Sequence, residues 1–234
     1  KNKHSIRSFR RRIKVMDLIK NTTLFGFPVI TTKINSKSYN KKSIISTIEK
    51  NFKLNKKRNQ WDKISLLHHS YNDDTNSKYH KVDYSTLMPV YKKIITKILN
   101  NMNIHTSCDF KLTIANYTCL SESNYMASHI HPFTDFTAVH YIQFDKKNHT
   151  STAFENVLPH IDYIHQLSPE LPKILSNHSS NSWIYDTWKL DVKEDDFCFS
   201  PSFLKHKIEP QTSKNKNRIT IVLNISLKKN QNHG

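Results

Sequence analysis

Glycine is almost missing from this 234-residue chain: Gly26 stands alone and Gly234 is the last residue. That excludes a phosphate-cradling P-loop and the glycine fingerprint of dinucleotide-binding folds, both of which need several glycines at fixed spacing. Cysteine is scarce too. Cys108, Cys119 and Cys198 are odd in number and show no CxxC spacing, so neither a disulfide framework nor a zinc knuckle is expected, and a reducing, cytoplasmic setting fits better. No apolar run approaches the ~20 residues that span a bilayer, so no membrane segment is expected.

What the chain has in excess is positive charge: 36 Lys+Arg against 19 Asp+Glu, a formal net charge of +17. Such a balance favours an anionic partner, nucleic acid above all. A second source for it is compositional: Asn occurs 23 times and Lys is abundant, the pattern an A/T-rich coding sequence produces without any partner. The densest cluster lies in residues 1–15 (Arg7, Arg10, Arg11, Arg12), an expected basic N-terminal arm or extension. Apolar content of 36% with 11% aromatics is enough for one folded domain of this length.

Periodicity divides the rest. Ile44, Ile45, Ile48 and Phe52 form a helical stripe within 41–56. Leu87, Tyr91, Ile94, Ile95, Ile98, Leu99 and Met102 form another within 85–103, with Asp83 or Ser85 as candidate cap and Pro89 in the first turn. Leu24–Ile34 is expected as a strand. Beyond Thr106 the texture changes to two-residue alternation, with strands expected around 110–117, 136–144, 151–157, 182–190, 196–200 and 218–227. The proline-bearing stretch Leu158–Ser180 is expected as an insert or lid, and 229–234 as a tail. The predicted fold class is α+β: an α-rich N-terminal portion (16–105) packed outside a β-sandwich or jelly-roll core (106–228).

The chemistry-bearing residues concentrate in two places. In Ser128-His129-Ile130-His131-Pro132-Phe133-Thr134-Asp135, residues i and i+2 of an extended segment point to one side, so His129 and His131 can share a metal. His206 follows Phe197–Leu204 and can meet them across a sandwich; three such ligands with open positions opposite suit Fe(II), although imidazole also suits Zn, Cu and Ni. Twelve residues later, Arg218 opens the alternating strand Arg218-Ile219-Thr220-Ile221-Val222-Leu223-Asn224. A lone guanidinium on an apolar strand needs a carboxylate, which its fork matches in bidentate fashion. That carboxylate belongs either to the protein or to a ligand, with Thr220 and Tyr141 placed to assist. The other histidines, His68–His69 included, show no convergent partners in the sequence.

Together these residues resemble the 2-oxoglutarate/Fe(II)-dependent oxygenase superfamily, most nearly the bacterial and phage oxygenases with an HxHP motif. The resemblance runs through Phe25–Ile34, Trp61, His129-Ile130-His131-Pro132, Thr137–Tyr141, Phe199–His206 with Glu209-Pro210, and Arg218-Ile219-Thr220 with Asn224. It implies a double-stranded β-helix (jelly-roll) core, Fe(II) on His129 and His206, and 2-oxoglutarate as co-substrate, its distal carboxylate on Arg218 with Thr220 and Tyr141. It implies decarboxylation to succinate and CO2 coupled to hydroxylation of a substrate that is a protein, a nucleic acid or a small molecule. Most of the superfamily has a carboxylate where His131 stands, so the third ligand is either His131 or Asp135. Two other classes fit less of the pattern. A cupin-like metalloprotein would use Asp135 and have no need of Arg218; a basic nucleic-acid-binding protein without catalysis would need none of the histidines.

Overall fold

The computed structural model describes residues 20–24, 26–59, 61–70, 78–104, 108–157, 166, 169–175 and 179–229. The chain opens with a hairpin, β1 (Lys20–Leu24) and β2 (Phe27–Lys33), with Leu24 paired to Phe27. A two-residue connection between twisted strands needs positive φ, and Gly26 supplies it at +84°. Helix α1 (Lys41–Leu54) buries Ile44, Ile48 and Phe52, four residues apart each time. Strand β3 is only His68–His69. Helix α2 (Met88–Asn101) buries Tyr91, Ile95, Ile98 and Leu99 and has Pro89 in its first turn, where the missing N–H costs nothing. Its expected cap is not used: no side chain caps α2, and Asp83 Oδ1 instead accepts from Ser85 N at 2.9 Å.

Eight further strands follow: β4 (Cys108–Leu120), β5 (Met126–His129), β6 (Phe136–Gln143), β7 (Thr152–Glu155), β8 (Thr187–Lys189), β9 (Asp196–Pro201), β10 (His206–Ile208) and β11 (Arg218–Lys229). A short helix, α3 (Leu171–Ile174), precedes β8. The strands form a seven-stranded sheet, β1-β2-β9-β6-β11-β4-β3, and a four-stranded sheet, β5-β10-β7-β8. All pairings among the described residues are antiparallel, as a jelly roll requires.

Two-residue alternation gives the large sheet two different faces. Ile219, Ile221, Leu223 and Ile225 of β11, with Phe197 and Phe199 of β9, lie in the core shared with α1 and α2. Tyr141 of β6 and Cys198 of β9 lie in the other core, with Phe154 of β7. The two helices therefore cover one face, and the small sheet covers the other. Arg218, Thr220 and Asn224 fall on this second, inter-sheet side.

The jelly-roll expectation holds; the α-rich N-terminal portion does not. Between residues 20 and 104 the described structure has two α-helices and three strands, and all three strands belong to the large sheet. The expected strand at 182–190 begins instead as a 3-10 turn, Ser179–Ile184, and only Thr187–Lys189 is extended. The basic arm 1–15, most of the proposed lid 158–180 and all but the first residue of the tail lie outside the described residues. Among the described residues no helix is long and apolar enough to cross a membrane.

Candidate metal centre

Register brings the first two histidines together. β5 and β10 run antiparallel with His129 directly opposite His206, so both side chains leave the same face of the small sheet. His131 lies two residues beyond His129, where its backbone N–H donates to Ser202 O at 2.9 Å and ties this loop to the segment before His206. The imidazole centroids are 4.4 Å apart for His129–His206 and 5.3 Å for each ring to His131. One ligand atom from each of the three lies within 4.8 Å of the others.

Each ring is also oriented from behind. His129 Nδ1 donates to Ala127 O at 2.9 Å, His206 Nδ1 to Leu204 O at 2.7 Å, and His131 Nδ1 to Asn224 Oδ1 at 3.2 Å. Oxygen acceptors on all three Nδ1 atoms set one tautomer, with the Nε2 lone pair free. Burial keeps the rings neutral. It lowers the His206 pKa well below the ordinary histidine value, with His129 and His131 adding to the effect. It pushes His131 down to about 4, and His129 is also lowered by burial. Three neutral, pre-oriented imidazoles with their ligand atoms this close fit a divalent first-row transition metal. Asp135 lies elsewhere: its Oδ2 accepts from Leu227 N at 2.7 Å, and the three-residue cluster does not include it.

Arg218 is fully buried, with 0% exposure. Its Nε donates to Thr150 O at 3.0 Å and its Nη1 reaches Thr220 Oγ1 at 3.5 Å, while Nη2 has no partner. No carboxylate pairs with it among the described residues, and burial lowers its pKa from the ordinary guanidinium value. A buried cation with an unmet donor is a strong demand for an anion. Thr220 Oγ1 also shares a 2.7 Å hydrogen bond with Thr118 Oγ1. The Tyr141 ring lies 5.2 Å from the guanidinium carbon, and its hydroxyl donates to Thr152 Oγ1 at 2.7 Å.

Other residues here were not legible as part of a site. Trp61 packs edge-on against His129 at 4.7 Å and stacks on His69 at 6.5 Å. His69 pairs with Thr118 on β3–β4, which puts it on the inter-sheet side beside Thr220. Asn116, two residues before Thr118 on β4, is buried with its Oδ1 unpartnered. Strand register reveals His69 and Asn116, and ring contacts reveal Trp61, which the sequence shows only as part of the family resemblance.

Residues 117–224 match the family described as "Putative 2OG-Fe(II) oxygenase", a stretch containing all three histidines and Arg218. Among solved structures, a Trichoplax adhaerens prolyl hydroxylase, in complex with a hypoxia inducible factor oxygen degradation domain peptide fragment, shares 11% identity. It covers 86% of this chain and 83% of its own, with a TM-score of 0.51. A Pseudomonas putida prolyl-4-hydroxylase shares 7% identity over 85% of this chain and 91% of its own, TM-score 0.48. The viral collagen prolyl hydroxylase of Paramecium Bursaria Chlorella virus-1 shares 13% over 85% and 96%, TM-score 0.45. At these identities the likeness is one of fold. No curated protein is similar in sequence to this chain. The match to that family spans residues 117–224, somewhat less than half of the chain, and the likeness in fold extends over most of it.

Proposed function

We propose that this chain is a 2-oxoglutarate/Fe(II)-dependent oxygenase that holds Fe(II) on His129, His131 and His206 and binds 2-oxoglutarate through Arg218, hydroxylating a C–H bond of its substrate with release of succinate and CO2. The observation that carries the reading is the orphaned guanidinium. Arg218 is buried on the same inter-sheet side as the imidazoles, with a free Nη2 and, among the described residues, no carboxylate to answer it. The distal carboxylate of a diacid supplies that missing charge.

The roles divide by position. Arg218 binds the distal carboxylate and Thr220 adds a hydroxyl beside it. The Tyr141 hydroxyl already donates its hydrogen bond to Thr152 Oγ1, so its ring serves as a wall beside the guanidinium. Fe(II), when bound, supplies the oxygen activation. The protein orients the reactants and keeps water out. Trp61, partly exposed against His129, is the wall that a substrate meets. The engagement of Asp135 with Leu227 and the unmet charge of Arg218 both favour this reading over a cupin-like one.

Arg218→Met tests it. Removing one partner of a buried charge pair costs several kcal/mol, so 2-oxoglutarate affinity by calorimetry should fall ~100-fold or more. Co(II) binding, followed by its visible absorption, should persist. His206→Ala should do the reverse and abolish Co(II) binding. Unchanged 2-oxoglutarate affinity in Arg218→Met would refute the assignment.

A further inference from the structure

The outward face of the two-helix layer carries lysines that the chemistry between the sheets does not use. Lys50, Lys53 and Lys57 follow one another at spacings of three and four along α1 and the turn after it; Lys92, Lys93 and Lys97 lie on α2. All six are exposed. The sequence of α2 holds no carboxylate, and α1 holds only Glu49, whose Oε1 accepts from Gln143 Nε2 at 3.2 Å. Among the described residues none of the six lysines is ion-paired.

Elsewhere paired and unpaired lysines are mixed: Lys37, Lys63, Lys111 and Lys147 are in no ion pair among the described residues, whereas others are paired. Lys146 pairs with Asp191 at 2.5 Å, Lys189 with Glu209 at 2.5 Å, Lys205 with Glu155 at 3.2 Å and Lys216 with Glu194 at 3.0 Å. A composition that was merely rich in lysine would leave paired and unpaired ones mixed. Here an unpaired set is gathered on one layer, at helical spacings where like charges repel. Packing of the apolar stripes on the sheet holds the helices despite that repulsion.

We infer that this face docks on the phosphate backbone of duplex nucleic acid. Each helix has 14 residues, about 21 Å of length, over which the lysine heads can follow successive phosphates. Lysine acts as a point charge and specifies no base, and α1 and α2 expose no aromatic ring for stacking, so duplex backbone suits the face better than unstacked single strands. A membrane surface suits it less. Helices that lie on membranes present an apolar face, whereas these have spent theirs on the core, leaving Leu54 as the one large exposed apolar residue on either helix. The lysines lie across the large sheet from the histidine cluster, so this surface tethers the enzyme and does not feed the metal centre. The inference is therefore independent of the substrate.

Fluorescence anisotropy of the full chain with a random-sequence DNA or RNA duplex tests it. Affinity should fall about a thousandfold between about 50 and 200 mM salt. Combined Lys50→Glu, Lys53→Glu and Lys57→Glu, or Lys92→Glu, Lys93→Glu and Lys97→Glu, should weaken binding at least ~10-fold. The charge-matched control Lys146→Glu, Lys189→Glu and Lys214→Glu should weaken it far less, with all variants melting like the parent. Equal losses in helix and control variants would overturn the proposal. So would duplex binding unaffected by the helix variants. Binding to phosphatidylserine/phosphatidylcholine vesicles that the helix variants abolish, with duplex binding intact, would overturn it in favour of a membrane.

Discussion

The three imidazoles are not equally supported. His129 and His206 give their Nδ1 protons to backbone carbonyls two residues away, so their tautomers follow from the local chain. His131 depends on a side chain 93 positions distant, Asn224. Asn224→Leu would leave a buried N–H without an acceptor, a loss of about 1–3 kcal/mol, and would free the ring to turn. Metal affinity should then fall ~10–100-fold, the usual consequence of losing an oriented partner behind a ligating histidine. Asn224→Asp keeps an acceptor there and should hold affinity at or above the parent value. A Co(II) titration of the three proteins checks this; wild-type affinity in Asn224→Leu would mean that Asn224 does not position a metal ligand.

At the scale of elements, strong periodicity was legible and short pairing was not. The α2 stripe and Pro89 announced a helix, and the alternation of β11 announced both its inner residues and its outer ones. β3 has two residues and β10 three, too few to show any period; both exist because longer neighbours present unpaired edges to them. That is why His69 looked idle in the sequence while His206, flagged by its spacing to Arg218, did not. The polar run of β1 lacks apolar alternation for the same reason: it is an edge strand, paired only to β2. An α-rich reading of the N-terminal portion follows from counting only the elements with periods long enough to see. The separation of the two faces makes a further prediction. Ile95, at 0% exposure, packs on the helix side of the large sheet. Ile95→Ala should cost about 2–5 kcal/mol in urea denaturation, by lost burial and a residual cavity. Co(II) stoichiometry should stay unchanged, because the imidazoles lie on the other face; lost metal binding in a still-folded variant would show that the two layers are coupled.

Across the whole molecule, buried histidines should lower stability in acid. Burial pushes His68 down to about 4, with Arg58 adding to the effect. His140 is also buried, and falls to about 3, lowered by that burial and then by Lys41. Its Nδ1 accepts from the Tyr91 hydroxyl at 2.8 Å; Asp195 is 4.0 Å from Nε2 but is already paired to Lys41 at 2.6 Å. An unfolded histidine titrates near 6.5, so below about pH 6.5 the unfolded chain binds protons that the folded chain refuses. Stability should therefore fall as pH drops from about 6.5 towards 4, and at about pH 5 each such histidine should account for roughly 2 kcal/mol of the loss. The acid charge added to a chain already at +17 works in the same direction. His140→Gln keeps an acceptor for Tyr91 but cannot titrate. It should be less stable than the parent near pH 7, yet its loss between about pH 7 and 5 should be smaller by roughly 2 kcal/mol. Urea denaturation at both pH values measures the difference directly. Parallel losses in the two proteins would mean that the folded state protonates His140 as readily as the unfolded chain does, with Asp195 turning from Lys41 to receive the charge.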